Sequence, residues 1–269
     1  MSRGKRSELV EGSAKRQMSD WDSFDWFDLI GGATCLACGR SSRDSLIRQV
    51  CLLYQGVMNE AYSPPLDKIQ YCFCRLCLTS LPIFFPTRTW TLPDSRVEVI
   101  TPFYYRPPIS LLIVKLKFYQ QKFLARPLAS LSYIILQQFW SAFKDHILVP
   151  IPLSKSRFRE RGYNQAGLFA GELARLTELP FQKDLLVRVK ETKRQTETGS
   201  RRERISNLKA AFALNQGILE EIQNNREGLP PILLIDDVTT TGATLKEAAA
   251  CLREAGFYVS CLCLAWDQA

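Results

Sequence analysis

Histidine is almost missing from this chain: His146 stands alone among 269 residues. Chemistry that needs several imidazoles, such as a histidine-rich catalytic metal site, is thereby excluded. Long apolar runs are missing too. Stretches such as 111–114 and 232–235 fall far short of the ~20 residues that a membrane helix requires. The opening residues are polar, carry Lys5, Arg6, Lys15 and Arg16, and hold no apolar core of a secretory leader. The expectation is a soluble cytoplasmic protein with no membrane insertion. No internal repeat recurs at solenoid periods either.

What is present is globular: 46% hydrophobic and 23% charged residues, enough to build a core. Thirty-five Lys and Arg against 27 Asp and Glu leave a net charge of +8. That excess favours an anionic partner, either nucleic acid or a phosphorylated metabolite, without choosing between them. Nine cysteines, an odd number in a chain without an export signal, argue against a disulfide framework. Metal ligation or buried free thiols remain.

Composition divides the chain into three. Residues 1–20 read as a disordered basic tail. Residues 21–93 hold six of the nine cysteines among short, Pro-punctuated pieces. From 96 to 269, helical and strand patterns alternate. Residues 111–143 suit one or two helices, broken or restarted at Pro127. Residues 147–151 read as a strand, and 165–176 as an amphipathic helix with Phe169, Leu173 and Leu176 on one face. Residues 185–189 and 211–214 are strand-like, 190–207 are highly charged, and 231–238 form a buried strand. Leu245, Ala248, Ala249 and Leu252 line a helix over 244–255, with Thr244 and Glu247 as its capping box and Gly256 as its stop. A last strand covers 257–265. Such alternation predicts an α/β fold, a parallel sheet flanked by helices.

Two Cys-x2-Cys knuckles, Cys35/Cys38 and Cys74/Cys77, carry the first chemistry. Each turns two thiolates toward one point, and two knuckles complete the tetrahedral four-sulfur ligation of structural zinc. Such a site is closed to water, so it organises a small fold rather than reacting. The gap between the knuckles exceeds the about 15–20 residues of ribbon sites. An inserted helix at 45–54, with Cys51 on its buried face, accommodates it. Cys72 lies too close to Cys74 for a knuckle, and Cys251, Cys261 and Cys263 read as packing residues.

The second constellation runs from Ile232 through Asp236 and Asp237 to Thr239, Thr240, Thr241, Gly242, Ala243 and Thr244. A buried strand delivers two adjacent carboxylates to the carboxyl edge of a parallel sheet, where open α/β folds bind ligands. A hydroxyl-rich turn then opens a helix, making a phosphate cradle of backbone N–H groups and hydroxyls. Gly242 permits close approach of backbone and phosphate. The carboxylates would repel phosphate but accept hydrogen bonds from the two vicinal hydroxyls of a ribose. One motif therefore suits a 5-phosphoribosyl group. A basic stretch, Lys155 to Arg161, follows the strand ending at Pro152. Its Phe158, with nearby Tyr163, reads either as a base-stacking surface or as packing.

The 232–244 stretch closely resembles the phosphoribosyl pyrophosphate (PRPP) motif of type I phosphoribosyltransferases. The whole order of features is similar to the ComF family, competence-associated proteins with a type I phosphoribosyltransferase-like domain. The match comprises the two knuckles, Tyr105-Arg106-Pro107, Leu116-Lys117-Phe118-Tyr119, Val149-Pro150-Ile151-Pro152, Arg161-Gly162-Tyr163-Asn164-Gln165, Gln195, Arg202, Asn207 and Asp236-Asp237 through Thr244. It spans residues from about 30 to 269, with the wide gap between knuckles as its main departure.

The resemblance implies a type I phosphoribosyltransferase-like domain over 96–269 with a zinc-ribbon module at 21–93. It implies PRPP with Mg²⁺ at residues 236–244, and Arg161 with Lys193 or Arg202 on the pyrophosphate, the latter two from a mobile lid around 190–204. It implies a role in DNA uptake and natural transformation or in nucleotide metabolism, as a pentosyl-transferring enzyme. The alternative is a non-catalytic PRPP sensor that binds single-stranded DNA or other competence proteins.

Overall fold

The computed structural model describes residues 35–39, 73–84, 89–92, 95–189, 211–225 and 228–268. The expectations for the tail at 1–20, the helix at 45–54, Cys51, Cys72, and the basic segment with Lys193, Gln195, Arg202 and Asn207 lie outside the described residues. Helix α1, Arg75–Thr79, follows Cys74, and strands β1 (Thr89–Thr91), β2 (Glu98–Ile100) and β3 (Phe103–Tyr104) come next. Helices α2 (Ile109–Phe118), α3 (Ala125–Ile135) and α4 (Gln137–Trp140) lead to β4 (Ile147–Pro150). After α5 (Lys155–Arg161) and α6 (Gln165–Thr177) come β5 (Leu186–Arg188) and β6 (Phe212–Leu214). The chain closes with α7 (Gln216–Asn225), β7 (Ile232–Thr239), α8 (Ala243–Glu254) and β8 (Val259–Trp266).

The main sheet runs β1-β2-β8-β7-β4, with β3 also paired to β8. All its pairs are parallel except β1 with β2. Strands β5 and β6 form a separate antiparallel ribbon. The apolar continuity of β7 follows from burial on both faces. Leu233 and Ile235 join one core with Leu112, Leu116, Leu128 and Phe169 from the helices α2, α3 and α6. Ile232 and Leu234 join the other, with Leu245, Ala248 and Leu252 of α8 and with Phe212 of the ribbon. Cys261 and Cys263 are free thiols in that second core, and the expectation of packing holds for both.

Three local expectations need correction. The break between α2 and α3 is at residues 119–121, where Gln120 takes φ 54°, not at Pro127. Pro127 sits in the first turn of α3, where a missing N–H costs no hydrogen bond. Helix α7 was not foreseen: its polar sequence masks the short apolar set that buries Ile222 in the second core. The capping box is also absent. Gly242 is the N-cap of α8, at φ 73° and without a side-chain cap. Glu247 instead accepts a hydrogen bond from the Ala211 N–H at 2.8 Å. Among the described residues, no helix is long and apolar enough to cross a membrane.

Candidate functional site

The two knuckles do converge. The Sγ atoms of Cys35, Cys38, Cys74 and Cys77 all lie within 4.8 Å of one another, and Cys38 and Cys74 are 3.7 Å apart. A tetrahedron with Zn–S of about 2.3 Å has edges of about 3.8 Å, so the donor set fits a metal ion such as zinc. Cys35 and Cys77 are buried, Cys38 exposed. Burial and the three neighbouring sulfurs push the Cys77 thiol well above its ordinary pKa. Four crowded thiols resist ionising together unless a cation compensates them. The knuckle at Cys35 is closed by the Gly39 N–H donating to the Cys35 carbonyl at 2.8 Å. Cys35, Ala37, Phe73 and Cys77 belong to the same core as α2.

The carboxylate pair lies near the carboxyl end of β7, beyond its contact with β4. The Ile151 N–H extends that ladder by donating to the Ile235 carbonyl at 2.8 Å, and Asp236 and Asp237 come next. Asp237 is buried and pairs with Lys117 Nζ at 3.0 Å. Burial first, then the Asp237 carboxylate, push Asp236 up to about 7. The Asp237 N–H, which donates to Asp236 Oδ1 at 2.8 Å, and the charges of Lys117 and Arg188 oppose that rise.

Two arginines face these acids electrostatically, Arg161 toward Asp237 and Arg188 toward Asp236. Arg161, the last residue of α5, donates from Nη1 to Gln165 Oε1 at 3.0 Å and lies 5.1 Å over the Phe118 ring. Burial lowers its pKa, and Asp237 partly restores it. Arg188, at the end of β5, is likewise lowered by burial and by Arg157, with Glu247 and Asp236 opposing. Sequence reasoning named Arg161 and missed Lys117 and Arg188 as partners of the acids. Lys117 lies in the Leu116–Tyr119 segment, where the sequence alone gives it no role. A single arginine in a strand gives no signal of its own.

The loop after β7 runs into the start of α8. Thr239 is buried, Thr240, Thr241 and Ala243 are exposed, and Thr244 is half-buried. The Lys246 N–H donates to the Gly242 carbonyl at 2.8 Å, so the N–H groups of Ala243, Thr244 and Leu245 have no acceptor within the helix. An uncapped helix start of this kind favours an anion. The close approach that Gly242 permits is to protein: a Cβ there would stand 2.3 Å from Leu92 Cδ2 and 2.9 Å from the Trp90 ring. Trp266 stacks on Trp90 at 5.6 Å and donates its indole N–H to the Thr240 carbonyl at 3.0 Å. Aromatic packing thus sets the shape of the loop.

Tyr163 and Phe158 separate. Tyr163 is buried and donates its hydroxyl to the Leu116 carbonyl. Phe158 is 50% exposed, Phe118 56% and Tyr119 67%. Helix α5 buries none of its residues.

No family model matches the chain. Several curated proteins are similar to it. Competence protein F of Haemophilus influenzae is 36% identical over 160 residues, 57% of this chain and 65% of that protein. Competence protein ComFC of Bacillus subtilis is 42% identical over 113 residues, 42% of this chain and 40% of that protein. The chain thus spans less than two thirds of either. DNA utilization protein YhgH of Salmonella typhi is 34% identical over 168 residues, 59% of this chain and 68% of that protein. With that identity over more than two thirds of a relative, this chain belongs to the ComF family.

Proposed function

We propose that the chain is a type I phosphoribosyltransferase-like protein that binds PRPP with Mg²⁺ and serves competence and DNA uptake, with 21–93 as its zinc module and 96–269 as its phosphoribosyl-binding domain. The carrying observation is the carboxylate pair followed directly by an uncapped helix start on the carboxyl edge of a parallel sheet. Asp236 and Asp237 would accept the ribose hydroxyls. Thr239, Thr240, Thr241, Gly242, Ala243 and Thr244 would receive the 5′-phosphate through N–H and hydroxyl groups. Arg161 and Arg188 supply cations toward a departing pyrophosphate. A Mg²⁺ ion held with the ligand near Asp236 and Asp237 would neutralise leaving charge. Lys117 pairs with Asp237 and orients it. Asp236, titrating near neutrality, is suited to take a proton from a nucleophile. Competence and DNA utilization are the roles named for the relatives, and they come to this chain as part of the proposal.

Calorimetry with PRPP and Mg²⁺ on wild type and Asp237→Asn tests it. A loss of roughly tenfold to a hundredfold in affinity is expected on losing a charged hydrogen bond; equal affinities would remove the ribose from Asp237. A screen of nucleobases for pyrophosphate release decides whether transfer occurs.

A non-catalytic reading, PRPP sensing joined to single-stranded DNA binding, is favoured by one observation. Phe118 and Phe158 expose their rings beside the cations of α5, the combination that stacks bases and tracks a phosphate backbone. Binding of an oligonucleotide that weakens in Phe158→Ala and falls steeply with salt would support it.

A further inference from the structure

The last turn of α2 is held at four successive residues by three separate parts of the protein: the cysteine knuckle, the segment 161–163 and β7. Lys115 Nζ donates to the carbonyls of Leu36 at 2.5 Å and Ala37 at 3.2 Å, both inside the Cys35–Cys38 knuckle. The Leu116 carbonyl accepts from the Tyr163 hydroxyl. Lys117 pairs with Asp237 at 3.0 Å. Phe118 lies under the Arg161 guanidinium at 5.1 Å. The turn is also packed in, because Leu112, Ile113 and Leu116 are fully buried. A close-packed helix moves as a unit. A shift of the knuckle carbonyls therefore acts on a turn that also orients Asp237 and Arg161.

We propose that metal occupancy of the four-cysteine site positions Asp237 and Arg161 through residues 115–118, with Lys115 as the positioning residue. This rests on the reading above only for what Asp237 binds. A tetrahedral ion fixes Cys35 and Cys38 together, and with them the direction of the two carbonyls between. Lys115 reads that direction through two charge-assisted hydrogen bonds, and Lys117, two residues on, hands it to the carboxylate. The cysteine module is then more than a staple for its own segment. By linkage, a change at Asp237 must act back on the metal.

Equilibrium competition for zinc with a chromogenic chelator, in the full chain, tests this without any phosphoribosyl ligand. Asp237→Asn should weaken zinc affinity by roughly fivefold, the low end of ordinary coupling between sites. On a Lys115→Met background the same change should alter zinc affinity by less than about twofold. An unchanged zinc affinity in Asp237→Asn overturns the proposal, as does an equal effect with and without Lys115. Should Lys115→Met not fold, hydrogen exchange at 115–119 in wild type decides: removing zinc should speed it about fivefold, and no change overturns the proposal. PRPP with Mg²⁺ separates the two readings. A chain that couples Asp237 to zinc yet binds zinc equally well with and without PRPP keeps this inference and loses the ribose assignment.

Discussion

The carboxylate of Glu247 accepts the backbone N–H of Ala211 at 2.8 Å, tying α8 to the start of β6. The residue that the sequence pattern assigns to a helix cap instead fixes the ribbon against the helix that follows the carboxylate pair. Glu247→Ala leaves that N–H without its partner and should lower stability by on the order of 1–3 kcal/mol. Thr244→Ala, with no cap to lose, should stay within about 0.5 kcal/mol. Urea denaturation of both variants checks the pair; equal costs would restore the capping box.

Gly242 has two reasons to be glycine. Its φ of 73° is costly for other residues, and a Cβ would overlap Leu92 and Trp90. Gly242→Ala should destabilise by roughly 1–3 kcal/mol and change tryptophan fluorescence, because Trp90 and Trp266 share the stack. Adding Leu92→Ala should recover part of that loss. No recovery would assign the whole cost to the backbone.

Asp236 makes stability depend on pH. Its folded pKa, about 7, is raised from 3.8, so the native state binds a proton that the unfolded chain has released. This contribution is fully present below about pH 4 and is lost as pH rises through about 7. Asp236→Asn should therefore stabilise the ligand-free protein at pH 8, by about 1–3 kcal/mol, and change little near pH 4. Thermal unfolding across that range is the measurement, and a pH-independent difference would contradict the assignment.

His146 acts in the opposite sense. Burial lowers its pKa, with Asp145 opposing, and it packs edge-on against Phe143 at 5.0 Å. The unfolded chain then binds the proton first. Stability is full above about pH 6.5 and falls as pH drops from there toward the lowered value. His146→Phe should flatten that acid limb, leaving stability at pH 8 within about 1 kcal/mol. The slope between pH 5 and pH 7 in wild type and variant decides it.

One zinc per chain is expected from the four sulfurs. Elemental analysis of metal-replete protein should find it in wild type and lose it in the Cys35→Ser/Cys77→Ser double variant. Because Cys35 and Cys77 are buried in the core shared with α2, chelation should lower the melting temperature of the whole chain, by roughly 4–8 °C for each kcal/mol lost in a domain of about 100 residues and less in a larger one. Retention of metal in the double variant would assign it elsewhere.

Local patterns were legible because they are made by neighbours along the chain. Strand β7, the acids at its end, the Gly242 turn and the stripe of α8 occupy consecutive residues, so alternation, helical period and a φ > 0 glycine expose them in order. The knuckles are legible for the same reason: two residues between cysteines fix the bite of a metal ligand pair. That the knuckles share one centre, despite the long gap, was an inference that the convergence of four sulfurs within 4.8 Å now supports.

What stayed hidden depends on contacts between distant segments. Lys117 and Asp237, Lys115 and the knuckle, and Arg188 and Asp236 lie far apart in the chain, and no spacing rule relates them. Tyr163 and Phe158 looked alike beside their arginines until packing buried one and exposed the other. Glu247 satisfied the local grammar of a cap, but Ala211 offered its N–H and took the carboxylate. By itself the sequence determined the strand, the turn, the helix and the ligand pairs, since short-range sterics and periodicity specify each. Only the tertiary structure decided which cation meets which carboxylate, because that choice follows from how buried helices pack across the sheet.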